Sequence, residues 1–304
     1  MKIAVIIGET FFPAAYRTGH AIFRAVYMCL KELDVNVVFG KSLSLIDDSI
    51  DIAIILPQSF SPQEVQGRRS HTKCFLIGLT FDPLPQGRDG QYLNVFGVRG
   101  FYDNFMMYVS SLDGIMDLNM GSALFLKHSG YNAVHLKLGY HASFENSQID
   151  KNNDVLFLGE FTRPRRRILR CINSRKHKGV FFSNNENILR DFVKFREYVA
   201  CSKIMLNIHT RKKMPYFASM RIVMFGFTNQ TLILTQKCEY MEDYKNGEHL
   251  IVCGDGLDFY NKIEYFLNNE KVRREIVDNA YRSINSFPLR ENLRCALQEL
   301  RILT

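Results

Sequence analysis

The stretch KIMLNIH (Lys203–His209), together with the chain from there to Ala280, decides the fold. KIMLN is a continuous apolar run of buried-strand type, and it ends in polar Asn207 and His209. A basic loop, TRKKMP, comes next, and then the amphipathic segment PYFASMRIVMFGF, which contains Arg221. TLILT (Thr231–Thr235) is a second short strand, succeeded by an acidic turn, EYMEDYKNGEHLIVCGD. Two segments with helical spacing, LDFYNKIEYFLNN and EKVRREIVDNAYRSI, close the stretch. Strand, helix, strand and helix at this spacing predict a parallel sheet covered by helices. In such sheets ligands lie beyond the carboxyl ends of the strands, so His209, the 210–213 loop and the 236–248 turn are expected to face one.

The same series, LNIH, MRIVMFGF, LILT, NGEHLIV and FLNNEKVRREIVDNA, resembles the second domain of GT-B glycosyltransferases, and within them the spore-maturation CgeB-like branch. The motifs agree in order and spacing over roughly residues 115–287, and the first hundred residues agree by architecture. The resemblance implies two Rossmann-like domains facing across a cleft, with a C-terminal helix crossing back to the first. It also implies a nucleotide-diphosphate sugar as donor.

Working outward, the first half alternates strand and helix signals. KIAVIIGE, VNVVFG, DIAIILP and TKCFLIGLTFD read as strands. GHAIFRAVYMCLKEL has apolar residues at helical spacing, and SPQEVQGRR opens with a Ser cap and a Pro at the first helical position. DPLPQGRDGQ reads as a loop, NFMMYVSS and AVHLKLGY as later strands, and GSALFLKHSGY as the helix between them. The polar stretch HASFENSQIDKNND (His141–Asp154) is expected to join two domains, 1–145 and 152–287, which the resemblance makes the acceptor side and the donor side. FPLRENLRCALQELRIL then predicts a helix over 288–304, the one that the resemblance implies returns to the first domain.

Composition bounds the function. The chain has 304 residues, is 46% hydrophobic and carries a net charge of +8, which fits a soluble globular protein with an anionic partner. A diphosphate donor, a nucleic acid or an anionic surface would each suit that charge. No apolar run approaches the roughly 20 residues that cross a bilayer, and MKIAVIIGE reads as a strand, not a signal peptide. The seven cysteines form no C-x-x-C pair, and Cys29, Cys74 and Cys201 fall in apolar patterns, which points to reduced thiols and a cytoplasmic setting. No His/Cys/Asp spacing suits a metal and there is no Asp-x-Asp, so neither metal nor cofactor is expected. A nicotinamide fingerprint and a P-loop are both missing from the sequence.

The candidate site residues fall in three places. In DVLFLGEFTRPRRRIL (Asp154–Leu169) a strand runs into Gly159, and a helix starts near Pro164. Glycine admits close backbone approach, and Arg163, Arg165 and Arg166 offer forked, permanent charge to a diphosphate; a solvated basic helix start is the alternative. The resembling family has a similar Gly and Arg pair there, and an Arg where Arg221 stands. Related GT-B enzymes place a ribose-binding Glu three residues later, where this chain has Met224. Glu242 and Glu248 are the candidate replacements. In the first domain, Glu9, Tyr16 and Arg17 come after the first strand as acceptor-side residues. His20 is expected at the start of the next helix, at the mouth of the cleft, as general base; an N-capping His is the alternative. The acceptor itself (glycan, protein, small molecule or modified nucleic acid) is left open. So are an inactive GT-B-fold binding protein and a DNA-base glycosyltransferase.

Overall fold

The apolar runs of the first half fold as parallel strands, the inner ones buried on both faces and Asn36–Gly40 half-buried at the edge. In the computed structural model they are Lys2–Ile6 (β1), Asn36–Gly40 (β2), Ile52–Ile55 (β3), Phe75–Thr80 (β4), Gly114–Asp117 (β5) and Ala133–His135 (β6). The structure describes residues 1–8, 13–81, 101–146, 150–172, 177, 179–182, 192–209, 217–241 and 243–303. The six strands order as β2-β1-β3-β4-β5-β6 and every neighbouring pair is parallel. Ile3 pairs with Val37 on one side and Ile52 on the other, and β1 is sealed from solvent from Ile3 to Ile6.

Helices Pro13–Glu32 (α1), Pro62–Ser70 (α2), Phe101–Val109 (α3) and Met120–His128 (α4) make the crossovers. The buried residues Ile22, Phe23, Val26, Cys29 and Leu30 of α1 recur at helical spacing. A reciprocal cap starts α2: the Glu64 amide donates to Ser61 Oγ (3.2 Å), and the Ser61 amide donates to Glu64 Oε2 (2.6 Å). NFMMYVSS is not a strand as expected but the body of α3. Its buried residues, Phe105, Tyr108 and Val109, stand three and four apart, the spacing of a helix face. DPLPQGRDGQ lies outside the described residues.

In the second half, Asn153–Leu158 (β7), Val180–Phe182 (β8), Ser202–Asn207 (β9), Leu232–Gln236 (β10) and Ile251–Cys253 (β11) form a parallel sheet ordered β11-β10-β9-β7-β8. The helices here are Arg163–Leu169 (α5), Phe192–Ala200 (α6), Gly256–Asn268 (α7) and Glu270–Asn285 (α8). The Arg221 segment, Met220–Phe227, is a π-helix. Thr228 N–H reaches back to the Val223 carbonyl (3.2 Å), five residues earlier. A Cβ on Gly226 would sit 2.3 Å from Ile233 Cδ1, so glycine lets this helix lie directly on β10. The core beneath includes Phe157, Ile204, Leu206, Leu234, Phe259 and Ile263.

The chain divides by internal contacts into two units, Met1–Lys137 with Leu289–Thr304, and Leu138–Pro288. The C-terminal helix, Leu289–Glu299, therefore groups with the first unit, where it packs on α1 and where Asn292 donates to the Lys137 carbonyl (3.0 Å). The polar stretch from His141 groups with the second unit, and it contains buried His141 and Phe144. Counted from its own first strand, each sheet begins in the order second, first, third, fourth, fifth. Each therefore reverses its direction of growth between its first and third strands, which is where open α/β sheets bind ligands. No helix among the described residues is long and apolar enough to cross a membrane.

Candidate functional site

At the reversal point of the second unit, β7 ends and Gly159 comes next with φ of 143°. That backbone conformation favours glycine. A Cβ there would lie 3.1 Å from Arg165 Nη1 and 3.3 Å from Arg221 Nη2. The missing side chain thus lets two guanidinium groups converge on the strand end.

Each arginine is held by its own support. Arg165, 5% exposed, donates from Nε to the Ile208 carbonyl (2.9 Å) and from Nη1 to the Glu160 carbonyl (3.1 Å), above the Phe157 ring. Arg221 projects from the π-helix and donates from Nη1 to Asn207 Oδ1 (3.4 Å); π-helical turns recur at functional sites. Asn207 Nδ2 donates onward to Thr235 Oγ1 (2.8 Å), whose hydroxyl donates to the Gln236 carbonyl (2.9 Å). Asn207 and Thr235 are register partners in β9 and β10, so this polar chain crosses the carboxyl ends of two adjacent strands.

His209 is buried beside it. Its amide donates to Gln236 Oε1 (2.9 Å), and Nε2 lies 3.2 Å from the Lys237 carbonyl. A carbonyl only accepts, so this contact assigns the proton to Nε2. Burial holds the imidazole below its ordinary pKa, with repulsion from Arg221 and Arg165 adding to it against the opposing Lys237 carbonyl. Cys238 Sγ stands 3.8 Å from Nε2. Burial pushes that thiol up to about 11, so it stays protonated near neutrality and the pair is no thiolate nucleophile.

A cleft of about 350 Å³ opens against this cluster. Pro164 and Arg167 of α5 line it with His209, Gln236 and the Gly254–Leu257 start of α7. Asp255 caps α7, accepting from the Asp258 amide (2.9 Å). The Arg167 guanidinium on one wall and the Asp255 carboxylate at the start of α7 give the cleft two chemistries. One suits phosphates; the other accepts from hydroxyls.

The structure brings Gly159, Arg165, His209 and Arg221 together. Arg163 and Arg166 instead line a more open basic cleft of about 780 Å³ with Arg167 and Arg170. Glu248 sits in an exposed turn paired with Lys245 (3.3 Å) and His249 (3.6 Å), and it does not line the 350 Å³ cleft. Met224 is fully buried in the π-helix. Glu9, Glu242 and the 210–213 loop lie outside the described residues, as do the side chains of Tyr16 and Arg17.

His20 is not at a helix start. The helix begins at Pro13, so His20 lies two turns inside α1, with its ring edge-on to Phe39 at 5.5 Å. Its pKa is still lowered, by burial first and then by Arg24 and Lys41. The neutral imidazole expected of a base is present for that reason and not through a helix terminus.

Sequence reading missed Arg167, Asn207, Thr235 and Asp255, and reached Gln236 only as the first residue of the 236–248 turn. Asp255 carries a signal, an Asp directly before an apolar periodic run, but that signal reads as a cap.

Residues 165–290 match the glycosyl transferase-like family, a region lying almost wholly in the second unit. No curated protein matches the chain in sequence. Among solved structures, HepE of Anabaena, in complex with UDP and glucose, is similar over 100% of both chains, with TM-score 0.60 and 10% identity. Sucrose-phosphate synthase of Thermosynechococcus elongatus is similar over 99% of this chain and 98% of its own, with TM-score 0.67 and 10% identity. The DNA-modifying enzyme β-glucosyltransferase (the T4 phage enzyme of that name is a further match) is similar over 99% and 100%, with TM-score 0.63 and 14% identity. At these identities the likeness speaks for the fold, and the matched region speaks for the family. The second unit thus carries a match to a glycosyl transferase-like family, and the chain as a whole has the fold of the solved structures named above.

Proposed function

We propose that the protein moves a sugar from a nucleotide-diphosphate donor bound on the second unit to a hydroxyl-bearing acceptor handled by the first. The observation that carries this reading is the convergence of Arg165 and Arg221 on Gly159 at the sheet's reversal point. In the reaction the acceptor oxygen attacks the anomeric carbon and the bond from that carbon to the diphosphate oxygen breaks. The acceptor proton passes to a base, and His20 is the proposed one. The charge that develops on the departing diphosphate falls to the arginines, and such fixed cations are the largest source of acceleration in chemistry of this kind. Asp255 is the proposed acceptor for a ribose or sugar hydroxyl, in the role expected of Glu242 or Glu248.

Uridine nucleotides come first for testing, because HepE is solved with UDP and with UDP-glucose. The arginines supply the charge in this reading, so turnover should survive a chelator. The order of motifs from LNIH to EKVRREIVDNA supports kinship with the CgeB-like branch, and seven free thiols support a reducing, cytoplasmic setting.

A panel of nucleotide sugars, scored for thermal stabilisation and then for donor hydrolysis or transfer, with and without EDTA, tests this reading. Stabilisation without turnover on any donor would favour a binding protein that has lost catalysis. A second reading, sugar transfer to a modified DNA base, is favoured by the cleft of Arg163, Arg166, Arg167 and Arg170. It predicts duplex binding that weakens steeply with salt in a gel shift; a flat salt response rules it out.

A further inference from the structure

The first unit has a cleft of its own. About 620 Å³ in volume, it opens at the carboxyl ends of β2 and β3, the strands that flank β1. Lys41–Ser44 form one wall after β2, Ser59–Ser61 form another after β3, and Glu64, Arg68 and His71 close it from α2. Two of these side chains hold buried polar atoms that find no partner, Arg68 Nε and Ser59 Oγ, and Ser59 is 9% exposed. Buried donors are normally satisfied, so two orphans in one cleft call for a ligand atom.

Among the described residues, two nearby carboxylates are engaged locally. Glu64, which lines the cleft, accepts the Ser61 amide in the cap of α2. Asp47, whose field reaches Arg68, accepts from the Ser49 amide and hydroxyl. His71 Nδ1 lies 2.7 Å from the Gly67 carbonyl and so must donate to it, which makes Nε2 an acceptor in the neutral ring and leaves the donors to Arg68, Lys41 and the serines. The walls therefore carry the fixed charges of Lys41 and Arg68 against that of Glu64, and the hydroxyls of Ser42, Ser44, Ser59 and Ser61.

We propose that this cleft is a subsite for an anionic group, phosphate or carboxylate, carried by the acceptor. Arg68 and Lys41 supply the charge, and Ser59 donates a hydrogen bond from within. Lys41 connects the cleft to the proposed base, since its charge is felt at His20 and Phe39, two residues before it, packs edge-on against the His20 ring. An acceptor anchored by its anion at Lys41 would present its hydroxyl on the side of His20. The naming of the ligand as acceptor rests on the proposed function; the anion site does not.

The test uses the whole chain with UDP saturating the donor site, so that phosphate cannot report from the arginines there. Inorganic phosphate and acetate are titrated calorimetrically into wild type, Lys41→Gln, Arg68→Ala and Arg68→Lys. Loss of one charge-assisted bond should weaken the bound anion about ten-fold, with partial recovery in Arg68→Lys and unchanged UDP affinity. Tighter phosphate identifies a phosphorylated ligand, and tighter acetate a carboxylated one. Phosphate and acetate affinities that are the same in all four proteins, or no binding of either in wild type, would overturn the site. If UDP fails to bind, the same titrations without it, compared between wild type and Arg68→Ala, still decide the anion site. The proposed function then falls separately. With an active donor, phosphorylated and neutral versions of one acceptor should differ in kcat/KM for wild type and converge in Arg68→Ala.

Discussion

The two units reverse their sheets at the same place, yet the ends of their first strands are built from opposite chemistry. A glycine comes after each, Gly8 two residues past β1 and Gly159 directly past β7. A Cβ on Gly8 would lie 2.8 Å from the Ser59 carbonyl and 2.8 Å from the Phe60 ring, so backbone and aromatic carbon close that position. A Cβ on Gly159 would meet two guanidinium groups instead. Around Gly8 the polar groups lie to the side, in the cleft of Lys41 and Arg68; at Gly159 the cations stand over the strand end itself. One topology therefore presents two faces to chemistry, a difference carried by the residues after the strands and not by the sheets.

The largest effect expected along this comparison is at His20. His20→Ala should lower turnover by about 10²–10⁴-fold while UDP binding is kept; unchanged turnover would remove His20 from the mechanism. Its lowered pKa makes the neutral form dominant at neutrality, so activity should fall as pH drops below 6.5. Arg24→Gln should move that acid limb upward in pH, since it removes part of the charge that holds the imidazole neutral.

On the other face, Arg221→Ala should weaken UDP by about ten-fold or more, the worth of one charge-assisted bond. Uridine should be far less affected, and Lys should rescue only in part because an ammonium cannot reproduce the fork. Equal losses for UDP and uridine would make Arg221 structural. The glycines separate the two ends next. Gly159→Ala should cost about 1–3 kcal/mol of stability through its strained backbone and should also weaken UDP. Gly8→Ala should cost a similar amount through overpacking with UDP affinity kept. If both variants lose UDP alike, the contrast between the ends fails.

The last effect is on stability alone. Lys151 donates to the Asn229 carbonyl (2.7 Å) and to Thr231 Oγ1 (3.0 Å), and burial pushes its pKa down to about 7. The unfolded chain keeps that proton up to about 10.5, so it binds more protons than the folded chain between about 7 and 10.5. Stability from this group therefore rises with pH across that window. Chemical denaturation should show wild type gaining on Lys151→Met as pH increases, and a parallel pair of curves would contradict it.

Much of the fold is legible because doubly buried strands are continuous apolar runs: KIAVI, IAII, FLIGLT and KIMLN need no partner to be recognised. The failures have physical causes. FMMYV is apolar throughout, and only the burial of Phe105, Tyr108 and Val109 shows that its period is that of a helix. The three-residue strand Val180–Phe182 is too short to have a period at all. At the site, Gly159 and a cluster of arginines can be read from order along the chain. Which arginine turns inward cannot, because it depends on the phase of a helix only seven residues long. Pro13 is a start signal for α1, but the glycine before His20 offers a competing one closer to the apolar run. The link from Asn207 to Thr235 needs the register of β9 against β10, which no local pattern encodes.

The grouping of Leu289–Glu299 with the first unit bears on how the protein is made. Leu289, Leu293, Ala296, Leu297 and Leu300 are buried, and a Cβ on Gly114 in β5 would lie 3.2 Å from Leu300 Cδ2. During synthesis the ribosome delivers all of 138–288 before the segment that seals this wall. The second unit can thus reach its native contacts while the first still waits with apolar surface uncovered. Such nascent intermediates are prone to aggregate, so the earlier-translated unit is the later to mature, and chaperones would be needed most over that interval.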